Sequence, residues 1–379
     1  MSSNKIFLTS ILMMCVWGVV LPSCSNRSDS ATVPESLSLE PSVLYMALDE
    51  KAALACRTIP EYTGAGSPVY ESSDESVVTV SNAGVVTAMS PGKATITVAF
   101  ADVTASCDVT VFTGKKPEFA CVGDYYLSDG SILSRNSSPD EIRNADIIGI
   151  VFNTDPDRMG KAEKDFLESK GLSPNGLAMA TRQAPTPLPW YFADEADFTL
   201  DEREIGIPDI LVYGDPVATY ELADDDLEGY MYCRQIKDLR SDRYEAGYYP
   251  LFSFAEEYGL SVPAPEISTG WYIPSNGQWF DIIRSLADAD IQADRLVPEG
   301  DEEFFWMNLG TLSTKLNDLL SVLPENNRSE FVPDGMMFWT SSAASPSEAR
   351  FVSLDDNGFV CCYRYYKMAD MNALCILGF

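Results

Sequence analysis

Between residues 37 and 112 apolar and polar side chains alternate in short runs, and turn residues separate the runs. Ala94, Ile96, Val98 and Phe100 share one face of such a run, while Thr95 and Thr97 share the other. Ala105, Cys107, Val109 and Val111 repeat the pattern. A period of two puts one face of a strand in a core and the other in water. Asn82-Ala83-Gly84 joins the runs 77–81 and 85–89, and Pro91-Gly92 turns the chain into the next. Leu37-Ser38-Leu39 before Pro41, the run 51–57 and the run 69–71 complete the set, with a Ser72-Ser73-Asp74 turn after the last. No helical period interrupts. Strands this short can hide their apolar faces only by laying one sheet on another, so residues 37–112 are expected to form an all-β sandwich.

The chain has 379 residues, enough for about two domains. A second unit is expected over 119–379, after a Gly- and Pro-punctuated linker at 113–118. Its signals are mixed. Residues 147–152 form a continuous apolar strand, and Asp129-Gly130 turns an aromatic strand. Residues 161–170 read as a helix with Gly171 at the capping position. Leu251, Phe254, Ala255 and Tyr258 fall on one helical face, as do Trp279, Ile282, Ile283 and Leu286. Ser275 and Gln278 have the spacing of a capping box. A third helix is expected over 305–323, on Leu309, Leu312, Leu316, Leu319 and Leu323. The end is β again, with Asp355-Asp356-Asn357-Gly358 as a hairpin turn between 350–354 and 359–366. The second unit is therefore expected to be α+β.

There is no histidine. Ser-His-Asp and Cys-His catalysis, histidine-ligated zinc and histidine pH switches are thereby excluded. Twenty-six basic residues against 57 acidic ones leave a net charge of −31, which repels phosphate backbones, so no nucleic-acid partner is expected.

Lys5 and the apolar run 6–20 have the form of a secretory signal peptide and are short of the roughly 20 residues a membrane span needs. The run ends in Leu21-Pro22-Ser23-Cys24, which resembles the lipobox of bacterial lipoproteins. The resemblance implies removal of residues 1–23 and acylation of Cys24, with the acyl chains holding the protein to outer-membrane lipid. The expected place is the outer membrane, on either of its faces. Residues 24–36 are small and polar and read as a tether.

The stretch from Tyr70 through Glu-Ser-Ser-Asp-Glu-Ser-Val-Val-Thr-Val to Gly84, then Pro91-Gly-Lys-Ala-Thr-Ile-Thr-Val, resembles a group 2 bacterial immunoglobulin-like domain. The resemblance implies a stalk or adhesion module. Cys56 and Cys107 stand at inward-facing strand positions, where a cross-sheet disulfide and two separate buried thiols both fit. Further on, Val122-Gly-Asp-Tyr-Tyr-Leu-Ser-Asp-Gly, Gly270-Trp-Tyr-Ile-Pro-Ser-Asn-Gly-Gln-Trp and Phe338-Trp-Thr-Ser-Ser follow in that order. They resemble the C-type-lectin-like domain of bacteroidetes and fibrobacter surface proteins. That likeness implies a C-type-lectin-like fold and extracellular binding to a glycan or protein. The arginine usual in the family's last strand is absent from the closing Asn372-Ala-Leu-Cys-Ile-Leu-Gly-Phe, and residues 178–243 read as an insertion.

Tyr363, Arg364, Tyr365 and Tyr366 are the candidate ligand-binding residues. Alternation puts Tyr363 and Tyr365 on one face, Arg364 and Tyr366 on the other. Trp271, Trp279 and Trp339 read as core. Asp288, Asp290, Asp294 and Glu299 imitate the spacing of a calcium loop, but Ala293 replaces the needed glycine and Arg295 the aliphatic residue. No cofactor is expected. The runs Asp224-Asp225-Asp226 and Asp155-Pro156-Asp157 read as solvated loops. Related lectin-like folds include a cysteine-using formylglycine-generating oxidase, but adjacent strand residues point apart, so Cys361 and Cys362 read as one core thiol and one outward thiol. The expected function is non-catalytic adhesion or ligand binding. A pilus-like structural subunit and a carboxylate-dependent glycan hydrolase are the alternatives.

Overall fold

The structure is a computed structural model that describes residues 34–62, 66–192, 201–286, 290–291, 295–296, 304–306, 311–332, 336–354 and 360–379. The first unit runs through β1 (Ser36–Glu40), β2 (Val43–Met46), β3 (Lys51–Ala53), β4 (Ala55–Ile59) and β5 (Val69–Ser72). It continues through β6 (Val78–Val80), β7 (Val85–Ala88), β8 (Gly92–Phe100) and β9 (Val103–Val111). The sheets are β2-β9-β8-β5, β3-β7-β6 and the pair β1-β4. All pairings are antiparallel except β2 on β9, where Met46 lies opposite Val111. The inward residues of the alternating runs, among them Ile96, Val98, Cys107 and Val109, form one buried cluster. Two details differ from the sequence reading. The run 51–57 is divided at Leu54, whose amide donates to Gly84 O, and Val43–Met46 is a strand with too little alternation to announce itself.

The linker is built into the second unit. Thr113 N donates to Asp129 Oδ2 at 2.7 Å, Gly114 N to Ser131 Oγ at 2.9 Å, and Lys115 bridges Ile132. Gly114 is required by this approach, since a Cβ there would stand 2.4 Å from Ile132 O. Lys116 Nζ reaches back to Glu50 at 2.8 Å.

The second unit opens with β10 (Tyr125–Leu127), β11 (Ile132–Leu133), α1 (Pro139–Asn144), β12 (Ile147–Asn153), α2 (Lys161–Ser169), β13 (Leu177–Gln183) and β14 (Leu188–Pro189). Helices α3 (Pro216–Asp224), α4 (Gly229–Leu239), α5 (Ser241–Glu245), α6 (Pro250–Ser261) and α7 (Asn276–Leu286) follow. After β15 (Arg295–Leu296), β16 (Phe304–Trp306) and α8 (Thr311–Ser321) come β17 (Met336–Ala343), β18 (Glu348–Leu354), β19 (Val360–Tyr366), β20 (Asp370–Met371) and β21 (Leu374–Gly378). One five-stranded sheet has the order β11-β10-β12-β13-β21, and a second the order β15-β16-β19-β18-β17. Helix α7 touches β12 of the first sheet and β17 and β18 of the second.

That position explains why α7 departs from a one-sided stripe. Besides Trp279, Ile282, Ile283 and Leu286, its Asn276, Gln278, Phe280 and Asp281 are buried. Only half of the expected capping box forms. Gln278 Oε1 accepts from Ser275 N at 2.9 Å, but Ser275 Oγ donates to Asp226 O at 2.6 Å. The helix expected over 305–323 is corrected to a strand, Phe304–Trp306, and a later helix, Thr311–Ser321. Aromatic runs pack equally well on either element, and here a neighbouring strand decides: Phe305 pairs with Cys361. Residues 177–183, where the expected insertion begins, form the strand between β12 and β21.

Candidate functional site

The four residues singled out at the chain's end lie on β19, whose register against β18 sets Tyr363 opposite Phe351, Arg364 opposite Arg350, Tyr365 opposite Ala349 and Tyr366 opposite Glu348. The strand runs off the core as it goes. Val360, Cys361 and Cys362 are buried, so the expected outward thiol is corrected: β16 and β18 flank the strand there, and both thiols are covered. Tyr363 is half-buried and meets Phe351 edge-on at 6.0 Å. Arg364 is half-buried, with Nη1 3.3 Å from Glu348 Oε2. Tyr365 and Tyr366 are 50% and 61% exposed, their rings 5.6 Å apart and crossed at 67°. Strand alternation holds along β19, yet burial does not follow it, because the last two residues have passed the edge of the core.

A fifth residue joins them. Tyr213 is 74% exposed, and its ring lies 5.9 Å from the Arg364 guanidinium. The loop carrying it is pinned to the second sheet: Ile210 N donates to Ala343 O at 2.8 Å, and the buried Arg350 Nε donates to Ile210 O at 3.0 Å. Thr219 Oγ1 accepts from Val212 N and closes the loop onto α3, which Asp215 caps through Ala218 N. Tyr213 thus meets Arg364 on one face of β19, and Tyr365 and Tyr366 add an exposed aromatic surface at the end of the strand, with Tyr365 on the face opposite Arg364. Such surfaces stack on sugar faces or seat protein side chains. Nothing local in the sequence marked Tyr213, which lies in a stretch without periodicity.

Beneath this sheet is a buried polar junction. Asp226 accepts from Tyr232 Oη at 2.7 Å and from Ser342 Oγ, and its carbonyl accepts from Gly277 N and Ser275 Oγ. Burial pushes its carboxyl up to about 6 against these hydrogen bonds. Glu163 accepts from Gly160 N at 2.7 Å, Tyr272 Oη and Gln278 Nε2, and burial pushes it up to about 8. Asp224 and Asp281 are held by Arg158 and Arg284. The solvated reading holds for the exposed Asp225 and is corrected for Asp224 and Asp226, since the start of α7 needs acceptors and Asp226 supplies them. Asp155 and Asp157 are exposed, as expected.

Trp279 and Trp339 are core, and Trp271 is half-buried, with Nε1 bound to Val262 O at 2.8 Å. Of the calcium-loop residues Asp290 is exposed, while Asp288, Asp294 and Glu299 lie outside the described residues. Among the described residues no group of three or more Cys, Asp or Glu is placed to hold a metal ion. Cys56 and Cys107 are separate thiols; Cys107 is buried, and burial pushes it up to about 11. Cys24 lies outside the described residues. Among the described residues no helix is long and apolar enough to cross a membrane.

No curated protein matches the chain. Among solved structures it is similar to a fimbrial protein from Bacteroides ovatus ATCC 8483, at 15% identity and a TM-score of 0.43, over 91% of this chain and 70% of that one. Smaller parts resemble domains 4 and 5 of the S-layer protein SbsC, at 20% identity and a TM-score of 0.19, over 21% of this chain and 53% of that one. An intimin mutant from EHEC O157:H7 is matched at 21% identity and a TM-score of 0.16, over 22% of this chain and 42% of that one. A family model for the bacterial Ig-like domain (group 2) matches residues 35–111, the segment that forms the strands β1 to β9. The chain is thus multidomain, an all-β N-terminal part similar to the group 2 bacterial Ig-like domain followed by a mixed α/β remainder, an arrangement that fits a surface or adhesion-type role.

Proposed function

We propose that the chain is an outer-membrane lipoprotein, acylated at Cys24, whose Ig-like sandwich is a spacer and whose C-type-lectin-like head grips an extracellular glycan or protein without catalysis. One observation carries the binding role: Tyr213 stands exposed against Arg364 on a loop anchored to the buried sheet, and Tyr365 and Tyr366 stand exposed at the end of the strand that carries Arg364. Aromatic side chains this exposed have an apolar face to cover, and a ligand covers it at low entropic cost because the rings have few torsions. The lectin-like reading rests on the order of the three aromatic motifs. The anchor rests on Leu21-Pro22-Ser23-Cys24 after the apolar run. A non-catalytic role accords with the lack of histidine and with buried carboxylates that are all engaged in hydrogen bonds or ion pairs.

Bacteria displaying the chain should adhere to surfaces coated with mucin-type glycoprotein or matrix protein, and the chain should fractionate with the outer membrane and carry metabolically supplied fatty acid. Cys24→Ser should abolish both the label and the adhesion by releasing the chain. Adhesion that persists without the label, or a chain never acylated in the wild type, would contradict the anchor.

A further inference from the structure

Lys367 and Glu202 form an ion pair unlike the others among the described residues, for each side chain is only 2% exposed. The two residues are 165 positions apart. Lys367 directly follows β19, and Glu202 opens a short 3-10 turn, Glu202–Ile205. The lysine's backbone is clamped on both sides, its amide donating to Ser347 O at 3.0 Å and its carbonyl accepting from Tyr191 N at 3.1 Å. Its side chain therefore enters the core at a fixed point. Nζ touches Glu202 Oε2, donates to Pro346 O at 3.1 Å and stands 4.6 Å from the ring centre of the fully buried Trp190. The other carboxyl oxygen, Glu202 Oε1, is buried without a hydrogen-bond partner among the described residues.

An ordinary ion pair is a poor account of this arrangement. Two full charges taken from water lose solvation that one contact repays only when the remaining lone pairs and protons are satisfied. Here one carboxyl oxygen has no partner within hydrogen-bond geometry among the described residues. Burial pushes Glu202 up and Lys367 down, both toward the uncharged form, although each opposes the other's shift. Asp201, Asp209 and Arg240 also act on the pair electrostatically. An amine and a carboxyl held in contact in the core, with each side chain 2% exposed and burial disfavouring the charge on both, are the reactant pair of amide formation. Fixing two reactants in contact supplies effective concentrations far beyond those in solution.

We propose that Lys367 and Glu202 become joined by an amide bond, giving the head a covalent side-chain cross-link. The Nζ lone pair attacks Glu202 Cδ and the N–C bond forms. The bond from Cδ to one carboxyl oxygen then breaks, and that oxygen leaves as water, taking its own proton and one from the amine. The other oxygen stays as the amide carbonyl. The step neither oxidises nor reduces, and it needs no co-reactant. The product has no charge left to bury. It would also close a loop through most of the head, which restricts the unfolded chain. A mechanical consequence rests on the binding role proposed above, while the bond itself does not: Tyr366 precedes Lys367, so force on the binding surface reaches the cross-link one residue away.

Purified full chain, denatured and digested with trypsin, tests this by tandem mass spectrometry. The expected product is a pair of peptides, one with Glu202 and one with Lys367, joined and lighter than their sum by one water, with cleavage after Lys367 lost. Lys367→Arg keeps a cation in the site but offers no amine, so the joined pair should vanish and the melting temperature should fall. Two linear peptides in full yield from the wild type, with normal cleavage after Lys367, would overturn the proposal, whether or not the arginine variant folds.

Discussion

Replacing Trp279 with alanine should lower the stability of the second unit by about 3–5 kcal/mol, the usual cost of emptying a buried aromatic site. The indole is 1% exposed on α7, with its ring 5.3 Å from that of Phe338 on β17. Its Nε1 has no hydrogen-bond partner among the described residues, so the loss is one of packing and cavity alone. Domains hold about 5–15 kcal/mol in total, and a loss of this size leaves the unit marginal. The buried apolar side chains fall into two clusters, one in each unit, so the sandwich should unfold as before. Beyond Trp17 every tryptophan lies in the second unit (Trp190, Trp271, Trp279, Trp306, Trp339), so fluorescence in a denaturant series follows it selectively. A change under about 1 kcal/mol would mean that α7 is not the packing centre between the two sheets.

Stability should fall as pH rises from 5 to 9, with Glu163 the main cause. Its carboxyl titrates at about 8 in the folded chain, against an ordinary value of 4.5, because it is buried. Asp226 behaves alike at about 6 against 3.8. The folded protein keeps these protons at pH values where the unfolded chain has released them. Folding therefore takes up protons in this window, and each rise in pH favours the unfolded chain. The full contribution is present below the ordinary carboxyl range and is gone above pH 8. For Glu163 the difference is about 3–5 kcal/mol across the window. Carboxyls lowered by a partner, such as Glu50 beside Lys116, act in the opposite sense but below this range. Glu163→Gln should flatten most of the slope in denaturant titrations at pH 5, 7 and 9. A wild-type stability that is flat or rising over the window would contradict this reading, and so would a glutamine variant with the slope intact.

Legibility in the sequence followed the range of the interactions. Strands such as β8 and β9 stood out because alternation is written residue by residue and one face of each is buried. The stripes of α6 and α7 were visible for the same reason. What could not be read is whatever a distant partner decides. Phe304–Trp306 becomes a strand because β19 lies beside it. Asp226 looks like one of three solvated acids until Tyr232 and Ser342 are brought to it. The pairing of Lys367 with Glu202 leaves no local trace, and Arg350, in an alternating strand, gives no sign that it is fully buried. The candidate surface was legible in part. Tyr365 and Tyr366 are exposed, Tyr363 is turned to Phe351, and Tyr213 enters from a loop that only tertiary hydrogen bonds position.

The most direct measurement is a binding screen of the purified full chain against arrayed glycans and extracellular proteins, alongside the double variant Tyr365→Ala/Tyr366→Ala. Both tyrosines are exposed, so the variant should unfold at the same denaturant concentration as the wild type. The account predicts selective binding by the wild type and at least about a tenfold loss in the variant, as expected for aromatic residues at the centre of an interface. Binding of equal strength by both proteins, or no binding by the wild type to any glycan or protein, would contradict it.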